Sequence, residues 1–374
     1  MLFIGIIGLV VVSFIGNFVM TVARTAGFAY AALLARVVTE VRIAVLLPDP
    51  NRERSRARPG TEDSMRQGLR RFEATARAVS EALEAGGHSI VPMPVNSRLS
   101  RQIGSAGPDL VFNTYFGPAR REDQSHVASL LEYLGTSFSG GAAACHFVGL
   151  SKPLSKAGLA GSGLRTAPFF LASSATEAVF RLEVSKLAFP LIVKASGEGE
   201  GIGLDQRSVV QNRDELERAV ERVVAGFGAP ALVEKLLPGR EFTVGVLAAE
   251  TARVLPVMEI TLKQGHVYSY EEKVQDSAGA ICPATLSPTE EEQLGSLAVR
   301  SGMALACRDY WRVDFRLDEE GRPFVLEVNT LPGLQPGYSD MPKMTEPLGL
   351  GYNWLIASIV ESAVLRRNAG NGRR

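Results

Sequence analysis

The stretch "WRVDFRLDEEGRPFVLEVNT", residues 311–330, sets an Asp, a Glu and an Asn among Val, Phe and Leu. A two-residue turn at Glu320-Gly321 would fold it into a hairpin. Asp314 then faces Glu327, and Arg312 faces Asn329. Side chains alternate faces along a strand. One face therefore carries Arg312, Asp314, Glu327 and Asn329. The other carries Val313, Phe315, Leu317, Phe324, Leu326 and Val328. A core accounts for the second face only. Facing carboxylates repel unless a cation or proton lies between them. Carboxylates with an amide oxygen on rigid strands suit Mg²⁺, which takes a few protein oxygens and then substrate phosphates. The polar outer face of an edge hairpin fits the same residues, and the stretch alone leaves both readings open.

Two other motifs favour the cation. "VKASGEGEGIG" is a strand end with Lys194, followed by a glycine-rich loop. The lysine can neutralise phosphate while glycines let backbone N–H groups approach. No Gly-Lys-Ser/Thr follows, so this is not a Walker A loop. "VEKLLPGREF" places Glu234 and Glu241 near strand ends, able to accept from an amino group or ribose hydroxyls. Alone, each would read as an exposed acid.

The 374 residues exceed one ordinary core and imply two or three domains. Hydrophobic content of 46% and charged content of 21% are globular. Lys+Arg and Asp+Glu both number 40, so no global basic field attracts nucleic acid. Three scattered cysteines give no disulfide frame, and the four histidines show no zinc spacing with them. Residues 1–23 are apolar and uncharged. As a helix they would span about 35 Å, enough for a bilayer core of about 30 Å. The arginines that follow would keep the rest of the chain cytoplasmic. A misassigned start is the competing reading, since a GTG start codon reads as Val and the folded part begins near Val41.

"VRIAVLL" from Val41 is a buried strand, and the polar "PDPNRERSRARPG" after it reads as a loop. A helix ends on Gly86-Gly87, and "HSIVPMPV" and "DLVFNTYF" are further strands. This order predicts a parallel α/β domain over residues 41–149. A helix starts near Leu150. "FPLIVKA" is a strand, and "PALVEKLLPGREFTVGVLAAE" gives two strands around a Pro-Gly turn. Pro288 with the acids after it opens another helix. An amphipathic helix closes the chain.

The series "SKPLSK", "LIVKASGEGEGIG", "LVEKLLPGREFTV", "YEEKVQDSAGAICPATL" and "RVDFRLDEEGRPFVLEVNTLPG" resembles the ATP-grasp superfamily, and within it the D-alanine–D-alanine ligase family. The resemblance implies an α/β fold, α+β in part. It divides into an N-terminal Rossmann-like substrate domain (41–149), a central lid domain (150–235) and a C-terminal ATP- and Mg²⁺-binding domain (236–368). Residues 1–40 are the hydrophobic segment and 369–374 a tail. The implied activity is ATP-dependent ligation of a carboxylate to an amine through an acyl phosphate. The cofactors would be ATP and two Mg²⁺ ions, with Mn²⁺ able to replace them. Partners would be small amino-acid-like substrates and, as often in this family, a second copy of the chain.

By the same resemblance, Lys152 and Lys194 hold the ATP phosphates. Glu198, Gly199 and Gly201 form the phosphate loop. Glu234, Lys235 and Leu237 line the adenine pocket, Glu241 binds ribose and Lys273 sits near the γ-phosphate. Asp314, Glu327 and Asn329 hold the metals. Arg312 and the Gly333 N–H stabilise the tetrahedral intermediate, and Glu53 binds the first substrate's ammonium. Three positions depart from the family. Glu200 and Val274 replace a Ser and a Tyr, and an ungapped count puts Tyr338 where a Ser holds the second substrate's carboxylate. These three are the specificity candidates. They point to an acceptor, and a donor as well, other than D-alanine. A ligase of a specialised-metabolite pathway is then as compatible as a cell-wall enzyme of peptidoglycan synthesis. A nucleotide-binding module that has lost catalysis is the alternative, against which the full metal and phosphate set argues.

Overall fold

Three β-sheets organise the protein in a computed structural model, which describes residues 40–57, 62–197, 199, 202–248, 251–261 and 279–371. The first sheet is parallel, as predicted, with order β2-β1-β3: β1 is Arg42–Leu47, β2 Ser89–Pro94 and β3 Leu110–Phe112. β1 is central, so its run Ile43, Ala44, Val45 and Leu46 is buried on both faces. Helices α1 (Pro50–Arg56), α2 (Glu62–Ala85), α3 (Leu99–Ala106), α4 (Asp123–Tyr133) and α5 (Ala143–Leu150) complete this part. α2 buries Met65, Leu69, Phe72, Ala76, Val79 and Leu83, alternate steps of four and three that make one helical stripe.

Two expectations here need correction. The polar segment after β1 is not all loop. Asp49 accepts from the Asn51 and Arg52 N–H groups and Pro50 opens the helix, so a cap and a proline start α1. β3 stops at Phe112 rather than running through "NTYF". The Asn113 side chain accepts from Tyr115 N–H, and Ser139 Oγ accepts from Asn113 N–H. Side chains have taken the groups that a longer ladder would use.

The second sheet is antiparallel, order β4-β7-β5-β6. After α6 (Lys152–Gly161) it contains β4 (Phe169–Ala172), β5 (Leu191–Ala195), β6 (Val209–Val210) and β7 (Ala231–Lys235), with α7 (Ala175–Ser185) and α8 (Arg213–Phe227) packed against it. α8 is capped by Asn212, which accepts from Glu215 N–H, and stops at Gly228 with φ +61°.

The third sheet has the order β11-β10-β8-β12-β13, with β9 on β8. Its strands are β8 (Glu241–Ala248), β9 (Ala252–Val254), β10 (Met258–Thr261), β11 (Gly279–Ile281), β12 (Tyr310–Leu317) and β13 (Pro323–Asn329). α9 (Pro288–Ala304) begins with a Ser287–Glu290 capping box and packs on it. α10 (Asp340–Lys343) and α11 (Tyr352–Asn371) end the chain. The two strands around the Pro-Gly turn exist, but β7 and β8 belong to different sheets, so residues 236–240 cross between sheets.

The opening hairpin differs in its outer half. Arg312 pairs with Asn329, Val313 with Val328 and Asp314 with Glu327, as read from sequence. A bulge then shifts the register, so Phe315 pairs with Val325 and Leu317 with Pro323. The tip is not a two-residue turn. Asp318 N–H donates to Arg322 O, and Gly321 takes φ +76°. The extra residue reverses the alternation, so Val325 is buried where Phe324 and Leu326 were expected. All three sheets lie within one compact unit, Arg42–Arg374. Among the described residues no single helix is long and apolar enough to cross a membrane. The apolar residues 1–23 lie outside them.

Candidate active site

β12 lies between β8 and β13, which fixes its side chains to one side or the other of the third sheet. On the polar side Asp314 is the hub. Its Oδ1 accepts from Thr243 Oγ1 on β8 at 2.6 Å and from Arg312 Nε at 3.0 Å. Its Oδ2 accepts from Arg312 Nη2 at 3.2 Å and Asn329 Nδ2 at 3.0 Å. Arg312 Nη1 also meets Asp340 at 2.9 Å. Burial opposes the guanidinium charge, but Asp314 and Asp340 raise its pKa above the usual arginine range. Glu327, opposite Asp314, pairs with Lys152 Nζ at 3.0 Å. Both facing carboxylates are thus compensated by cations. Among the described residues no group of three His, Cys, Asp or Glu is arranged to hold a metal. The donor set is two carboxylates and an amide oxygen, hard ligands of the kind Mg²⁺ accepts.

Lys152 opens α6, and its N–H donates to Ser196 O at the start of the glycine-rich loop. One turn later stands Lys156, on the same helix face. Lys156 Nζ meets Glu234 of β7 at 2.8 Å and donates to Thr166 Oγ1 at 2.8 Å. Lys194 of β5 reaches the other Glu234 oxygen. Lys156 and Glu234 side chains are each 2% exposed. Burial would raise the Glu234 pKa, yet the two lysines bring it down to about 2. Burial lowers that of Lys156, with Glu234 opposing. Leu237 is buried, Lys235 pairs with Glu319 at 3.4 Å, and Glu241 pairs with Arg316 at 3.3 Å.

Glu53 lies on α1, fully buried. Its Oε1 meets Tyr115 Oη and Arg52 Nη1, the latter at 2.9 Å, and its Oε2 accepts from Ala119 N–H at 3.0 Å. Arg52 and Arg56 converge on buried Asp123 at 3.0 and 2.8 Å. Arg121 crosses to the glycine-rich loop, donating to Gly197 O at 3.0 Å. A side chain at Gly199 would have to move that guanidinium aside.

At the other end, a Cβ on Gly333 would lie 2.6 Å from Ser339 Oγ. That oxygen accepts from Gln335 N–H at 3.1 Å. The hydroxyl nearest Gly333 is therefore one residue beyond Tyr338, whose ring instead lies under Arg71 at 4.8 Å. The expectations for Glu198, Glu200, Gly201, Lys273 and Val274 lie outside the described residues. Lys156, Thr243, Ser339 and Asp340 were not singled out from sequence. Only Lys156 carried a signal, its spacing of four from Lys152.

Lys152 answers Glu327 of the third sheet, and Lys156 and Lys194 answer Glu234 of the second, a polar set suited to a nucleotide and a divalent cation. That is the architecture of an ATP-grasp enzyme. The D-alanine–D-alanine ligase of Bacillus anthracis, solved with ATP, matches with a TM-score of 0.67 and 23% identity, covering 88% of this chain and 99% of that one. The Coxiella burnetii ligase matches at 0.65 and 21%, covering 90% and 97%. Sequence narrows the class. The family model "D-ala D-ala ligase C-terminus" matches residues 159–361. The D-alanine–D-alanine ligase of Desulforudis audaxviator is 32% identical over 323 residues, 86% of this chain and 98% of its own. That of Bordetella pertussis is 32% identical over 294 residues, 78% and 90%. The chain belongs to the D-alanine–D-alanine ligase family, ATP-dependent ligases that form C–N bonds.

Proposed function

We propose that this chain joins two amino-acid-like substrates in the cytoplasm, using ATP. The supporting observation is that Arg312, Asp314, Glu327 and Asn329 gather at one end of the hairpin, with Lys152 reaching in from α6. The donor's carboxylate oxygen attacks the γ-phosphorus, the bond to ADP breaks, and an acyl phosphate forms. The acceptor's amine then attacks the acyl carbon, phosphate leaves with the C–O electron pair, and the amine loses a proton. A free carboxylate is a poor acyl donor because oxide leaves badly, so the phosphoryl step removes the main obstacle. Lys152 and Lys194 would neutralise phosphate oxygens. Arg312 and the Gly333 N–H would stabilise the oxyanion. Asp314, Glu327 and Asn329 would hold Mg²⁺, which screens the triphosphate charge when bound. On this reading residues 41–149, 150–235 and 236–368 are the substrate, lid and nucleotide domains.

A donor other than D-alanine is the reading of the departures at Glu200 and Val274. Glu53 itself still fits an ammonium, since its Oε2 accepts only from the Ala119 N–H while Oε1 meets Arg52 and Tyr115. The test is ADP and phosphate release with D- and L-amino acids, singly and in pairs, with products read by mass spectrometry. An amide product is expected. ATP binding without turnover across the panel would instead make the chain a lapsed nucleotide-binding module. Efficient D-alanyl-D-alanine formation would keep the ligase and remove the divergence.

A further inference from the structure

Residues 117–123 run between α1 and the glycine-rich loop, and the ligase reading gives them no task. Gly117 makes the turn that starts the segment. Its φ is +72°, and a Cβ there would lie 2.0 Å from Arg120 O, so another side chain does not fit. Three contacts then tie the segment to α1. The Ala119 N–H donates to Glu53 at 3.0 Å, Arg120 Nε donates to Arg56 O at 3.1 Å, and Asp123 takes Arg52 and Arg56 at 3.0 and 2.8 Å. Arg121 therefore projects from a fixed base. Its Nη1 donates to Gly197 O at 3.0 Å, and Nη2 and Nη1 lie 2.4 and 2.8 Å from where a Gly199 Cβ would be. The guanidinium thus rests directly on the backbone of the loop that follows Lys194.

We propose that Arg121 is a positioning residue: it latches the glycine-rich loop to the Glu53 side of the site and so fixes the phosphates of ATP against the donor. This rests on the ligase reading above. Glycine loses more conformational freedom on ordering than any other residue. A glycine-rich loop that presents N–H groups to phosphate therefore gains from a hold outside itself, because part of its ordering is done before the ligand arrives. The place of the hold matters as well. Two residues before Arg121 is the N–H on Glu53, the candidate ammonium site, and at its tip is the candidate phosphate loop. A latch there sets the distance from the donor's carboxylate to the γ-phosphorus, and reactivity is sensitive to a misplacement of about 1 Å.

The experiment measures calorimetric binding of adenosine, and of the non-hydrolysable triphosphate AMP-PNP with Mg²⁺, to the full chain. Arg121→Ala should weaken AMP-PNP at least tenfold while adenosine affinity and the melting temperature stay as in the wild type. Arg121→Lys, which keeps the reach and a donor for Gly197 O, should recover part of the loss. Gly199→Ala should act like Arg121→Ala, since its methyl group has to push the guanidinium aside, and the double variant should bind no more weakly than either single. Equal AMP-PNP binding by wild type and Arg121→Ala overturns the latch. So do fully additive losses in the double variant, or a loss that vanishes at high salt, the mark of a charge acting on phosphate rather than of a hold. Turnover of ATP with the amino-acid panel is read beside these. No turnover with a selective loss of AMP-PNP sinks the ligase and keeps the latch. Turnover with unchanged AMP-PNP affinity does the reverse.

Discussion

Replacing Glu234 with Gln should destabilise the protein by about 3 kcal/mol, and the structure says why. Among the described residues Glu234 is the one carboxylate paired with Lys156, and both side chains are 2% exposed. Lys194, 17% exposed, can turn toward water once its partner is gone. Lys156 cannot, because α6 holds it against Thr166 and the Phe169 ring. Removing one member of a buried pair leaves an uncompensated charge, worth about 3–5 kcal/mol. The lowered carboxyl pKa gives a figure of the same size. Its pKa is about 2 against an ordinary 4.5, and each unit is about 1.4 kcal/mol, which again gives about 3 kcal/mol. The folded-state value is depressed, so this stability is complete above pH 4.5 and is lost as pH falls toward 2. Urea unfolding at pH 7 measures the first figure, and acid unfolding of wild type against Glu234→Gln the second. The double variant Glu234→Leu, Lys156→Met should recover most of the loss, since an apolar pair of similar volume can replace a buried ion pair. A cost below about 1 kcal/mol for Glu234→Gln, or a double variant weaker than both singles, would refute the reasoning.

His146 should make a second acid transition. It is fully buried, with Nδ1 between Gln124 and Thr330, and burial and Arg308 lower its pKa from 6.5 to about 4. Its neutral form is the folded one, so stability is full above pH 6.5 and falls by about 3 kcal/mol toward pH 4; His146→Gln should flatten that slope in urea melts. Gly302→Ala sets a methyl into the Trp311 indole, whose Nε1–H is fixed on Ala298 O at 2.9 Å. Overpacking of about 1–3 kcal/mol should outweigh the helix-propensity gain of about 1 kcal/mol, with a shifted tryptophan emission; an unchanged melt would show that the sheet yields there. On the proposed reading Asp314 is both a metal ligand and the partner of Arg312, so Asp314→Asn should cut kcat by about two orders of magnitude. A variant with wild-type turnover and an unchanged Mg²⁺ titration would place the chemistry elsewhere.

What the sequence revealed, and what it concealed, follows from how far each residue's constraint reaches. Asp314 opposite Glu327 was legible because a strand's period of two ties each side chain to its neighbours. The same rule failed at Leu326, since a bulge leaves one residue unpaired and no residue type announces it. Strands β1, β2, β3, β5, β7, β8, β12 and β13 were legible, but β4, β6, β9, β10 and β11 were not, nor was the separation of β7 and β8 into different sheets. A Pro-Gly turn reads alike whether the chain returns to its own sheet or crosses to another. Lys156 and Asp340 were hidden for a different reason. Each matters through one distant partner, Glu234 and Arg312, 78 and 28 positions away, and no local pattern encodes such a distance. Ser339 was concealed by counting alone. An ungapped count ends on Tyr338, whereas the hydroxyl that lies against Gly333 is the next residue, Ser339. Positions fixed by periodicity therefore carry the candidate metal residues of the hairpin. Those fixed by loops and long-range ion pairs surround them on both sides, and loops are where an enzyme of a shared fold can change what it joins.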